Sequence, residues 1–129
     1  MLPQHAASHY LQTQIQSRTP VELVVMLYDG AIRHADAARE AMAAGNIPAR
    51  KAALSKLTAI IAELQNTLDM ERGGEIAQDL DRLYTWAMHR LLDAVVGRDP
   101  RPIEEVRRVL DNLRGAWQAI AAKPVSAQP

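Results

Sequence analysis

Residues 19–32 read TPVELVVMLYDGAI. Thr19 followed three residues later by Glu22 is a capping box, and Pro20 falls at the first helical position, where its missing N–H costs nothing. The stretch therefore predicts a helix start at Thr19. At about 100° per residue, with Leu27 as origin, Leu23, Val24, Ala31 and Ala38 lie close to it. Tyr28, Ile32 and Val25 widen the apolar arc to roughly 160°. Glu22, Asp29, Asp36 and Glu40 share the narrow face that remains. A helix packed on one core needs an apolar stripe of only about 100° or a little more, so this helix carries apolar margin to spare.

Outward from this stretch, the helix runs to about Ala44 and stops at Gly45, a C-terminal glycine. Asn46-Ile47-Pro48 opens a second helix, predicted to reach about Glu71 and to end at Gly73-Gly74. A third helix spans about Glu75 to Val96 and stops at Gly97. Asp99-Pro100-Arg101-Pro102 starts a fourth, with Glu104 and Glu105 suited to the positive end of its dipole, and it ends near Ala122. Four helices joined by short turns pack antiparallel, so the expected fold is all-α, an up-down four-helix bundle over residues 19–122. Residues 1–18 are expected to form a partly ordered N-terminal cap segment, and residues 123–129 a disordered tail.

The second helix turns Leu54, Leu57, Ile61, Leu64 and Leu68 inward, with Ile60 at the edge. In the third, Ile76, Leu80, Leu83, Tyr84, Ala87, Leu91 and Val95 form the stripe, widened by Met88 and Leu92. The fourth has a narrower band of Val106, Val109, Leu110, Leu113, Trp117 and Ile120, with Arg107, Arg108 and Arg114 outside it on a solvated face. Trp86 projects on the polar side of the third helix between Arg82 and Arg90, as a cation–π sandwich, under cover of the N-terminal segment, or as part of a partner surface. Two explanations fit the wide margins. Neighbouring helices or the N-terminal segment cover them, or they rim a surface groove that accepts another chain.

The bulk composition narrows the function. A chain of 129 residues makes one domain, and 15 basic against 15 acidic residues give no net charge with which to attract nucleic acid or an anionic membrane. There is no cysteine, which excludes disulfides and thiol catalysis and fits a reducing compartment. No apolar run is long enough to span a membrane, and the signal-peptide pattern is absent, so a cytoplasmic location without membrane insertion is expected. Bundle metalloenzymes need inward Glu residues and Glu-x-x-His pairs, and the sequence has no such pair. His5 and His9 sit without neighbouring carboxylates; His34 reads as a packing residue at the core edge, and His89 as a polar-face residue. No phosphate-binding loop, dinucleotide fingerprint or nucleophile elbow is present. The expectation is no enzyme, no cofactor and no metal.

Three stretches carry a resemblance. SRTPVELVVMLYDGAIRHADAA (17–38), GGEIAQDLDRLYTWAMHRLLDAV (73–95) and LRGAWQAI (113–120) closely resemble, in order and spacing, the FliS family of flagellar secretion chaperones. The likeness spans about Tyr10 to Ile120. Arg18 stands where the family often has a small residue, and His89 occupies the slot of one family arginine while Arg90 keeps the other.

The resemblance implies an antiparallel four-helix bundle that binds the disordered C-terminal segment of flagellin in the cytoplasm. It prevents premature polymerisation and keeps the subunit export-competent, with components of the export apparatus as further partners. On this reading the wide arcs of the first three helices receive the client through Tyr28, Ile32, Ile60, Leu64, Leu68, Leu83, Tyr84 and Met88. Tyr10, matching the family's N-terminal tyrosine, and Ile15 shield the groove when it is empty. The competing readings are a homodimerising structural bundle without a secreted client, and a metal-containing bundle enzyme.

Overall fold

The structure, a computed structural model, describes residues 19–123. It contains α1 (Pro20–Ala43), α2 (Ile47–Asn66), α3 (Gly74–Gly97) and α4 (Arg101–Ala121). Neighbours pack in a ring, α1 on α2, α2 on α3, α3 on α4 and α4 back on α1. This is the expected all-α, antiparallel four-helix bundle.

The local signals act as their chemistry requires. The Thr19 side chain accepts a hydrogen bond from the Glu22 backbone N–H at 3.2 Å and its hydroxyl donates to Glu22 Oε1 at 3.0 Å, tying down the first turn of α1. At the other end Gly45 adopts φ +69°. Its N–H reaches the Met42 carbonyl at 3.1 Å, and the Asn46 N–H reaches that of Ala41 at 2.9 Å, a Schellman closure. Asn46 then accepts from the Ala49 N–H at 3.1 Å and caps α2.

Two boundaries differ from the sequence expectation. α2 ends at Asn66, not near Glu71. The Thr67 hydroxyl donates to the Leu64 carbonyl at 2.7 Å, and Asp69 Oδ1 accepts from the N–H groups of Glu71 at 3.2 Å and Arg72 at 3.0 Å. Such short side chains offer the backbone partners that compete with helix continuation, so Leu68 lies in a turn. α3 runs through Gly97, and the left-handed residue that stops it is Arg98, φ +51°.

The core is built from Tyr28, Ala31, Ala35 and Ala38 of α1, Leu54, Leu57, Ile61 and Leu64 of α2, Tyr84, Ala87, Leu91 and Ala94 of α3, and Ile103, Val106 and Leu110 of α4. The small side chains of α1 let α2 and α4 approach it closely. Several predicted stripe residues are not core. Ile76 is 71% exposed and Val95 and Ile120 are also exposed, because each lies near a helix end where the neighbouring helices give out. Trp86 is partly buried against the core and does not project freely from the polar side. Arg108 is exposed as expected, but Arg107 and Arg114 are less solvated. Arg107 Nε sits 2.6 Å from Asp36 Oδ1, and Arg114 pairs with Asp29. The narrow acidic face of α1 is thus turned partly toward α4.

Candidate functional site

An open apolar groove of about 410 Å³ lies at the end of the bundle where α1 and α3 begin and α2 and α4 finish. The first two turns of α1 supply Leu23, Val24 and Leu27 as one wall. Ile76, Ala77 and Leu80 of α3 form the other. Leu68 from the α2–α3 turn and Trp117 from α4 complete it, and Tyr84 reaches it from the core.

The early end of α2 makes this groove. The chain after Asn66 folds as a turn over the bundle end and presents Leu68, itself packed on the core, to the cavity. Gly73 permits the tight return. A Cβ there would stand 2.6 Å from Ala77 Cβ and 2.7 Å from the Asp69 carbonyl oxygen, closer than real atoms approach. The first turn of α3 is therefore drawn against the turn, and Ile76 is left on the surface.

The polar atoms beneath the groove satisfy one another. Tyr84 and Tyr28 are buried, and their hydroxyl oxygens lie 2.5 Å apart. Burial raises both phenol pKa values; hydrogen bonding to Tyr84 and Trp117 offsets part of this for Tyr28, whereas its bond to Tyr28 adds to the rise at Tyr84. Both hydroxyls stay neutral near pH 7 and neither suits acid–base chemistry there. His34 is pushed down by burial and by Lys56 and Arg33. Among the described residues no three His, Asp or Glu side chains are grouped to hold a metal ion, and no helix is long and apolar enough to cross a membrane.

Of the residues expected at the site, Leu68 and Tyr84 meet in this groove. Tyr28 and Leu64 lie inside the bundle at 0% and 1% exposure. Ile32, Ile60 and Met88 are partly buried against the core elsewhere along the helices, and Leu83 is partly buried. Tyr10 and Ile15 lie outside the described residues. Leu23, Val24, Leu27, Ile76, Leu80 and Trp117 also line the groove, although their periodicity places them in core stripes. Their position within about two turns of a helix end, where a helix has fewer neighbours, is the signal that separates them.

The arrangement defines an up-down four-helix bundle with an open apolar groove at one end. The chain belongs to the FliS family of flagellar secretion chaperones. The family model described as "Flagellar protein FliS" matches residues 3–124. The chain is 40% identical over 114 residues to the flagellar secretion chaperone FliS of Salmonella typhimurium, covering 88% of this chain and 84% of that one. It is 36% identical over 123 residues to the FliS of Campylobacter jejuni, covering 95% and 96%. A solved structure described as a flagellar chaperone from bacteria superposes with a TM-score of 0.73 at 22% identity, over 90% of this chain and 94% of the other. That likeness concerns the fold.

Proposed function

We propose that this chain binds the disordered C-terminal segment of flagellin in the cytoplasm, blocks its premature polymerisation and holds it ready for export. The observation that carries the reading is the open groove, with Leu23, Leu27 and Leu80 on its walls and Ile76 exposed at its rim. An amphipathic segment laid into such a groove buries its apolar face as a helix or extended strip. Leu23, Val24, Leu27, Leu68, Ile76 and Leu80 are the first contacts. Ile32, Ile60, Leu83 and Met88 extend the client's path along the bundle, while Tyr28, Leu64 and Tyr84 support it from within. The activity needs no catalysis and no cofactor; it substitutes one apolar partner for another. Components of the export apparatus would meet the loaded complex.

The N-terminal segment shields the empty groove on this reading. Pro20 lines the groove, and Ile15 is four residues from Thr19, within about 14 Å of extended chain. Tyr10 lies further along the same tether.

Self-association is the second reading, and Leu92, Val95 and Val96 favour it as exposed apolar residues near the C-terminal end of α3. Sedimentation velocity separates the two. A monomer that becomes a one-to-one complex with the flagellin segment supports the chaperone. A stable dimer that ignores the segment supports self-association.

A further inference from the structure

The hydrogen bonds beneath the groove do not use every donor they bring together. The hydroxyl oxygens of Tyr28 and Tyr84 lie 2.5 Å apart. One bond joins them, and it takes one of the two hydroxyl hydrogens. Trp117 is a further hydrogen-bond partner of Tyr28. An indole N–H only donates, so Trp117 fills an acceptor position on Tyr28 and offers none in return. Three donor hydrogens therefore converge on two oxygens, and one O–H is left over. Among the described residues no other group hydrogen-bonds either hydroxyl.

The surroundings decide which tyrosine keeps the spare hydrogen. Tyr28 is fully buried and does not line the groove. A spare O–H on Tyr28 would sit between two donors with no acceptor in reach, and a buried donor without an acceptor costs more than a bond gains. Tyr84 is 2% exposed but does line the groove. The bond therefore runs from Tyr28 to Tyr84, and the spare hydrogen belongs to Tyr84. The groove walls are aliphatic and cannot accept it. Thr67 and Asp69, which also line the groove, spend their side chains on the α2–α3 turn.

We propose that the Tyr84 hydroxyl is a polar anchor for the chain that docks in the groove, donating its spare hydrogen to an oxygen of that chain. This rests on the flagellin reading above and adds a rule of selection to it. The segment that fits is apolar, with one acceptor oxygen seated over Tyr84. A wholly apolar segment would bury the O–H without a partner, and that penalty selects against it.

Isothermal titration with a peptide of the flagellin C-terminal segment compares the full-length parent with Tyr84→Phe and Tyr28→Phe. Both variants lose the bond between the tyrosines, but only Tyr84→Phe loses the anchor. Tyr84→Phe should bind about tenfold more weakly, and Tyr28→Phe no more than about threefold. Yet Tyr28→Phe also strands the Trp117 N–H and should lower Tm at least as much. Equal losses of affinity, or no loss from Tyr84→Phe, would overturn the anchor. Nuclear magnetic resonance of the free chain, with a carbon-13 label at tyrosine Cζ in mixed light and heavy water, reads the hydroxyl hydrogens directly. Exchange should be on the order of tenfold or more faster at Tyr84 than at Tyr28. Equal rates or the reverse order would overturn the assignment. A parent that does not bind the peptide fails the flagellin reading alone, and the exchange order then decides the donor by itself.

Discussion

Tyr28 Oη and Tyr84 Oη lie 2.5 Å apart in the interior and join α1 to α3, the two helices that face each other across the ring. The remaining core side chains are apolar, so this bond fixes how the diagonal pair is registered. Replacing Tyr84 by Phe removes one buried hydrogen bond and should cost about 1 kcal/mol, or roughly 4 °C in Tm for a domain of this size. Thermal unfolding followed by circular dichroism checks it; an unchanged Tm would show that the bond contributes nothing.

The same pair sets an alkaline limit. Both phenols have pKa values raised in the folded state, chiefly by burial. A raised folded pKa means that the stabilisation is complete below the unfolded value of about 10 and is lost as pH rises above it, because the unfolded chain ionises first. Stability should therefore be flat in this respect between pH 7 and 9 and fall above about pH 10. The double variant Tyr28→Phe/Tyr84→Phe should flatten the fall. Urea titrations at several alkaline pH values measure it.

Groove and core should separate on mutation. Leu57 is fully buried, and Leu57→Ala should destabilise by about 2–5 kcal/mol. Ile76 is exposed, and Ile76→Ser should change stability by less than about 0.5 kcal/mol. On the proposed function Ile76→Ser should nevertheless weaken binding of the flagellin segment. Chemical denaturation and a binding titration on both variants decide whether the two surfaces are distinct.

The bond between Asp36 and Arg107 is partly exposed, with about a third of each side chain open to water. Solvent screening holds such pairs to about 0–1 kcal/mol. Asp36→Ala should lower stability by no more than that, with the difference shrinking in high salt. A loss above about 2 kcal/mol would give the α1–α4 ion pairs a larger role than their exposure allows.

Gly73→Ala should be disruptive out of proportion to one methyl group, since the added carbon meets Ala77 and the Asp69 carbonyl. The expected loss is about 1–3 kcal/mol. The turn would have to move, and with it Leu68 and the groove. A variant as stable as the parent would mean that the α2–α3 turn shifts freely.

The bundle was legible because its boundaries are written in local chemistry. Thr19-Pro20-Val21-Glu22, Gly45 and Asn46 each act within one turn of chain, and each acts as read. The end of α2 was not legible from apolar periodicity, because Leu68 continues the stripe while Thr67 and Asp69 supply the bonds that break it. The apolar groove at the bundle end was not legible for a related reason. Period marks which side of a helix is apolar, not whether a neighbour reaches that level of the bundle. Leu23 and Leu27 share a face with buried Ala31 and Ala38, yet only the latter have α2 and α4 fully against them. Tyr28 and Leu64 are turned into the core and almost fully buried, whereas Leu27, the residue beside Tyr28, faces the groove.

The most direct test of the central claim is isothermal titration of the full chain with a peptide of the flagellin C-terminal segment, alongside an Ile76→Asp variant. One-to-one binding with a negative heat-capacity change from buried apolar surface is expected, with at least a tenfold weaker affinity for the variant at unchanged Tm. Absence of binding by the parent chain, or equal affinity for both proteins, would contradict it.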